Sequence, residues 1–98
     1  MKMKRIQSDR IMCISIDMEK TGKNIRKHML QKGYSVRDIM EITGVTTEQA
    51  VYKWLGGRSL PSLESLIVLS IIFETDISDL LVVDNFLNIT KPENDYLI

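Results

Sequence analysis

The sequence has a single cysteine, Cys13, and a single histidine, His28. One cysteine excludes an intrachain disulfide, and the two residues together are too few to build a Cys/His metal site. Neither a metal nor another cofactor is expected, and such sparing use of cysteine fits a reducing cytoplasm. Long hydrophobic runs are missing too. The longest, Leu66–Phe73, is eight residues interrupted by Ser70, whereas a membrane-crossing helix needs about 20. The opening Met-Lys-Met-Lys-Arg has the charge of a signal peptide's first region, yet Ile6–Ile16 is broken by Gln7, Ser8, Asp9 and Arg10. No apolar region of the kind a signal peptide needs follows it. The expectation is a cytoplasmic chain with no membrane partner and no evident small-molecule ligand. Also absent are a Gly-rich phosphate loop, a nucleophile motif and a base placed beside a nucleophile, so no enzyme and no catalytic residue is expected. Repeats and low-complexity tracts are lacking.

Net charge is absent as well: 13 Lys and Arg balance 13 Asp and Glu. Zero charge speaks at first against a nucleic-acid partner, but its distribution reverses that reading. Residues 1–18 carry four basic and two acidic side chains, and residues 19–58 carry eight against four. Residues 59–98 hold only Lys91 against seven acidic side chains. A basic front and an acidic back orient a molecule on a polyanion; the alternative is that charge merely segregates by chance.

What is present is an ordinary globular balance, 44% apolar and 27% charged over 98 residues. That is enough for one domain around one modest core and leaves no room for a second, catalytic domain. The punctuation predicts short helices. The first runs from Asp17 or Met18 to Gln31, with Ile25, His28 and Met29 inward, and ends at Gly33. Ser35-Val-Arg-Asp38 has the form of a capping box and opens a second helix with Val36, Ile39 and Met40 inward, closed by Thr43-Gly44. Thr46-Thr-Glu-Gln49 reads as another capping box. It opens a third helix that carries Ala50, Val51, Trp54 and Leu55 and stops at Gly56-Gly57. A fourth begins near Ser62 with a stripe of Leu63, Leu66, Ile67, Ser70 and Phe73. A fifth covers Ser78–Val83 and docks through Ile77, Leu80 and Leu81. Ile11–Ile16 is β-prone, and Val82–Ile89 holds more apolar surface than a tail needs; the two segments could pair with each other or across a dimer. The expected organisation is an N-terminal extension (1–16), a five-helix domain (17–83) and a C-terminal tail (84–98) that contributes to dimerisation through Phe86-Leu87.

Helices two and three carry the functional signal. Two short helices joined by Gly44-Val45 and a threonine cap match a helix-turn-helix unit. Small Ala50 and β-branched Val51 let the third helix lie across the second, leaving its outer face free to enter a major groove about 12 Å wide. Glu48, Gln49, Tyr52 and Lys53 share that face, opposite Val51, Trp54 and Leu55. Gln pairs with adenine, Lys donates to guanine, Glu accepts from the cytosine amino group, and Tyr rests on a thymine methyl or donates to a phosphate. A merely solvated amphipathic helix would also be polar here. Candidate phosphate contacts surround this face: Ser35 and the amides that open helix two, Arg37 in the same turn, Thr46 and Thr47 before helix three, and Arg58 with Ser59 beyond it. For Arg37, a local ion pair with Glu41 is the simpler alternative.

Gly33-Tyr-Ser, Asp38-Ile-Met, Gly44-Val-Thr-Thr, Gln49-Ala-Val-Tyr-Lys-Trp54, Gly57-Arg-Ser-Leu-Pro-Ser-Leu-Glu64 and Asp79-Leu-Leu, in that order and spacing, resemble the lambda-repressor-like helix-turn-helix domains of the Cro/C1 (XRE) type. The resemblance covers about Thr21–Val83. It implies an all-α, compact five-helix fold, double-stranded operator DNA as ligand and a homodimer on a near-palindromic site. It also implies base reading by Glu48, Gln49 and Lys53, with phosphate contacts from Ser35 and Arg58. Two departures stand out. Val36 occupies the place where relatives often carry a phosphate-contacting Gln, and the turn before helix three is one residue longer than the commonest form.

The remaining side chains have structural readings: His28 partly buried on the first helix, Trp54 a core anchor, the six methionines gap-fillers, and Cys13 a small hydrophobe. The expected function is a sequence-specific transcriptional regulator, a repressor by its family likeness. The competing reading is an antitoxin-like or anti-repressor protein-interaction module that kept the scaffold and lost DNA.

Overall fold

The computed structural model describes residues 14–85. Cys13, Phe86-Leu87 and the segments beyond them lie outside the described residues. The chain divides into two units. Within the first, which includes Ile14, Ser15 and Val83–Asn85 among the described residues, β1 (Ile14–Ile16) pairs with β2 (Val83–Asn85) in a two-stranded antiparallel sheet. The two β-prone segments of the sequence therefore meet each other within one chain.

The second unit, Ile16–Val82, contains five helices: α1 (Met18–Lys32), α2 (Val36–Thr43), α3 (Glu48–Leu55), α4 (Leu63–Phe73) and α5 (Ile77–Leu80). Their starts follow from local chemistry. An extended Asp17, Ser35, Thr47 and Ser62 each present a side-chain oxygen that accepts the backbone N–H three residues on, supplying one of the partners a helix start lacks. At Ser35 the box is complete, because the Asp38 carboxylate accepts the Ser35 N–H at 2.9 Å while Ser35 Oγ accepts the Asp38 N–H at 3.1 Å. Gly44 ends α2 at φ 83, a left-handed conformation in which a Cβ would be strained.

Ile25, Met29, Ile39, Val51, Trp54, Leu55, Leu69, Phe73 and Leu80 form one buried cluster, with Tyr34, Val36, Met40, Val45 and Ile72 packed against it. The inward residues expected of α1, α2 and α3 are in place. His28 is half-buried and stacks on Phe73, ring centroids 5.2 Å apart. Gly22 is where α1 meets α3: a Cβ there would stand 2.4 Å from the Trp54 carbonyl oxygen and 2.7 Å from that of Leu55. Polar ties fasten α1 to α5. Asn24 Nδ2 donates to the carbonyls of Asp79 (2.8 Å) and Leu80 (3.1 Å), and buried Thr21 Oγ1 accepts the Val82 N–H at 2.9 Å.

Three expectations are corrected. The cap of α3 is Thr47, not Thr46, and the residue three beyond it is Ala50, so no reciprocal Gln49 contact closes a box. Val45 packs on the core, and the chain needs Thr46 to complete the turn. The inward face of α4 is Ser65, Leu66, Leu69 and Phe73 rather than the expected stripe, of which Leu63 and Ile67 are exposed and Ser70 half-buried. Leu-Glu-Ser-Leu-Ile-Val-Leu-Ser-Ile-Ile-Phe is apolar on nearly every side, so periodicity does not point it. Finally, α5 is a single turn ending at Leu80. Leu81 is already extended and leads to β2, instead of the helix continuing to Val83.

Candidate nucleic-acid interface

The outer face of α3 is determined by what its inner face must bury. Val51, Trp54 and Leu55 lie in the core, and at about 100° per residue the opposite face is then Glu48, Gln49, Tyr52 and Lys53. Gln49, Tyr52 and Lys53 are exposed and Glu48 is half-buried. With Thr47 as the cap, Glu48 and Gln49 are the first two residues of the helix, the end that leads into the groove in helix-turn-helix docking.

One of these side chains, Glu48, meets a neighbour. Arg37, on α2, pairs through Nε with Glu41 at 3.5 Å and through Nη1 with Glu48 at 3.4 Å. The local pair weighed for Arg37 is thus formed, and a second one, across the helix-turn-helix, joins it. The Glu48 contact escaped sequence reasoning. Its partners are eleven residues apart on different helices, and only the fold brings them together. Both pairs are exposed, so each contributes about 0–1 kcal/mol and either can exchange for another anion.

The start of α2 has a charge of its own. The Ser35 amide and hydroxyl are both engaged with Asp38. The hydrogen bonds from the Ser35 backbone and side chain hold the Asp38 carboxyl below its ordinary value of 3.8. A carboxylate therefore already sits at the positive end of α2's dipole, and any phosphate held there shares that end with it.

Beyond α3, the loop bearing Arg58 is fastened from two sides. The N–H groups of Arg58 and Ser59 donate to the Lys53 carbonyl at 2.9 and 3.3 Å. Gly57, at φ 76, lies so close to α1 that a Cβ would stand 2.7 Å from Glu19 Cα. Arg58, exposed, is thereby carried beside the last turn of α3, with Ser59 half-buried next to it. Thr46 is exposed before the turn, and Thr47 is occupied in capping Ala50 at 3.2 Å. Lys20, Lys23, Arg26 and Lys27 are exposed along α1; the charge count pointed to them, but only the helix places them on a surface.

Comparison with known proteins gives a consistent picture. The family model for the Cro/C1-type HTH DNA-binding domain matches residues 24–85. Among solved structures, the restriction-modification controller protein C.AhdI from Aeromonas hydrophila superposes with a TM-score of 0.57 at 22% identity, covering 65% of this chain and 96% of that one. That likeness is one of fold. No match was found among curated proteins. The family model covers more than half of the sequence, and its range includes the helix-turn-helix of α2 and α3. The chain belongs to the Cro/C1-type helix-turn-helix DNA-binding domains.

Proposed function

We propose that the protein is a transcriptional repressor that binds operator DNA as a homodimer and reads the major groove with α3. The observation that carries this reading is the division of α3 into a buried apolar face and an exposed face of Gln49, Tyr52 and Lys53 beside half-buried Glu48. In this reading Glu48, Gln49, Tyr52 and Lys53 contact base edges. Ser35, Thr46, Thr47, Arg58 and Ser59 contact phosphates, and Arg37 exchanges a glutamate for a phosphate on binding. The regulatory role draws on family membership and on the fold shared with a protein named as a restriction-modification controller. Two such helices in a two-fold dimer meet the groove about 34 Å apart.

Selection of bound sequences from a random duplex pool at physiological salt tests the proposal. The expected product is a near-palindrome with half-sites one helical turn apart. A second reading, a protein-interaction module without DNA, is favoured by the Arg37–Glu48 pair and by Asp38 at the opening of α2, both of which put negative charge where phosphates would lie. No enrichment in the selection would establish that reading over the first.

A further inference from the structure

α4 carries eight apolar side chains, and three of them are exposed. Leu63, Ile67 and Ile71 remain 64%, 44% and 68% exposed. They are spaced i, i+4, i+8, so they form one stripe along the whole of a helix about 16 Å long. The core takes the opposite side through Ser65, Leu66, Leu69 and Phe73. A solvent-facing helix side ordinarily carries charged or polar residues, and here it carries two isoleucines and a leucine.

We infer that this stripe is the homodimer interface, with α4 packed antiparallel against α4 of a second copy about a two-fold axis at Ile67. Two observations select a second copy as the occupant. The stripe is symmetric about Ile67, so in an antiparallel pair Leu63 lies against Ile71 of the partner subunit and each residue finds an apolar counterpart, as an isologous contact requires. The charges also fit. The C-terminal end of α4 has no basic residue in its last turn and leads into Asp76 and Asp79, beside a Glu74 that Lys32 already pairs at 3.3 Å, while its N-terminal end carries the positive pole of the helix dipole. Antiparallel pairing sets each acidic end against the opposite pole, and Glu64 then faces Ser70 of the partner subunit rather than another acid. The size of the patch sets the strength. The three side chains expose on the order of 300 Å², within the range of functional patches on monomers but well below the ~800 Å² per partner of a standard interface. The dimer is therefore weak and concentration-dependent, and DNA carrying two half-sites reinforces it. This inference gives the dimer of the proposed function a surface, and it replaces the expectation that the terminal Phe86-Leu87 segment provides it.

Sedimentation of the full chain without DNA tests it. The wild type should show a monomer–dimer equilibrium at micromolar to hundreds-of-micromolar concentrations. Ile67→Lys should be monomeric throughout, with unchanged helicity and melting temperature. A wild type that stays monomeric over that range overturns the inference. So does a dimer that survives Ile67→Lys, and if that dimer is lost on trimming residues 86–98 the interface belongs to the tail. Cross-linking supplies a second readout. In a Cys13→Ser background, Ile67→Cys should oxidise to a covalent dimer while Leu30→Cys, exposed on α1, should not; equal yields overturn the two-fold axis at Ile67. A duplex with a single half-site separates this inference from the reading it rests on. If Ile67→Lys binds that duplex as the wild type does, DNA reading stands whatever the fate of the interface.

Discussion

At the scale of single residues, the exposed side chains of α3 differ in what they are free to do. The Glu48 side chain is tied to Arg37, whereas the side chains of Gln49, Tyr52 and Lys53 form no hydrogen bond or ion pair among the described residues, so in the proposed reading they are free to meet a base. Gln49→Ala and Lys53→Ala should each cost about 1–3 kcal/mol of binding and relax preference at one base pair. Titration against the selected duplex and its single-position variants measures this. If both variants kept affinity and preference intact, the reading face would be misassigned. Gly22 makes a prediction of the opposite kind, about folding alone. In a bare helix Gly→Ala gains about 1 kcal/mol, but here the new Cβ meets two carbonyl oxygens at 2.4 and 2.7 Å. Backbone cannot move aside as a flexible side chain can, and overpacking of this sort costs about 1–3 kcal/mol or more. The clash should win, and Gly22→Ala should lower the melting temperature; an increase would mean that α1 can slide on α3 without loss.

Single elements show which local rules suffice and which do not. The start of α2 is readable from four letters, Ser35 to Asp38, because the capping box is closed between neighbours. Ser35→Ala should destabilise the domain by about 1 kcal/mol, as a shift in the denaturant midpoint. Asp38 adds a pH dependence of known sign. Its folded pKa is lowered, so its contribution is present above the unfolded value near 3.8 and is lost as pH falls through the folded one. Stability measured from pH 5 to pH 2 should fall less in Asp38→Asn than in the wild type; parallel curves would show that the contact has no net effect. The cap of α3 was legible only to within one residue, since Thr46 and Thr47 are both able to cap. The choice was made by Val45 packing on the core, a contact outside the motif. The orientation of α4 was not legible at all. Its inner and outer sides are equally apolar, and only the placement of α1, α2 and α5 decides that Leu69 turns inward and Ile67 outward. The features of the interface follow the same division. Membership of one helix face is a matter of period, and the sequence showed it, while the Arg37–Glu48 pair and the fastening of Arg58 beside Lys53 depend on how different elements come together.

At the scale of the whole molecule, zero net charge conceals a polarity that bears directly on the two functional readings. The basic excess lies in residues 1–58 and the acidic excess in residues 59–98. Binding driven by phosphate contacts releases condensed counterions, and affinity then falls with salt at a logarithmic slope of about −0.9 per contact. For roughly six contacts the loss between 50 and 200 mM salt is about 10³-fold or more. Arg58 is the cleanest single probe of this effect. It is exposed, carries no ion pair among the described residues, and is held by backbone bonds that its side chain does not make. Its removal should therefore leave folding unchanged. Arg58→Ala should weaken operator and random duplex alike and reduce the salt slope by about one unit. Anisotropy titrations at four or five salt concentrations supply both numbers. A variant that lost affinity only for the operator would place Arg58 on a base instead of a phosphate. A protein partner held through the apolar side of the molecule would leave wild-type affinity nearly flat across the same salt range, because no condensed counterions are released when apolar surfaces meet.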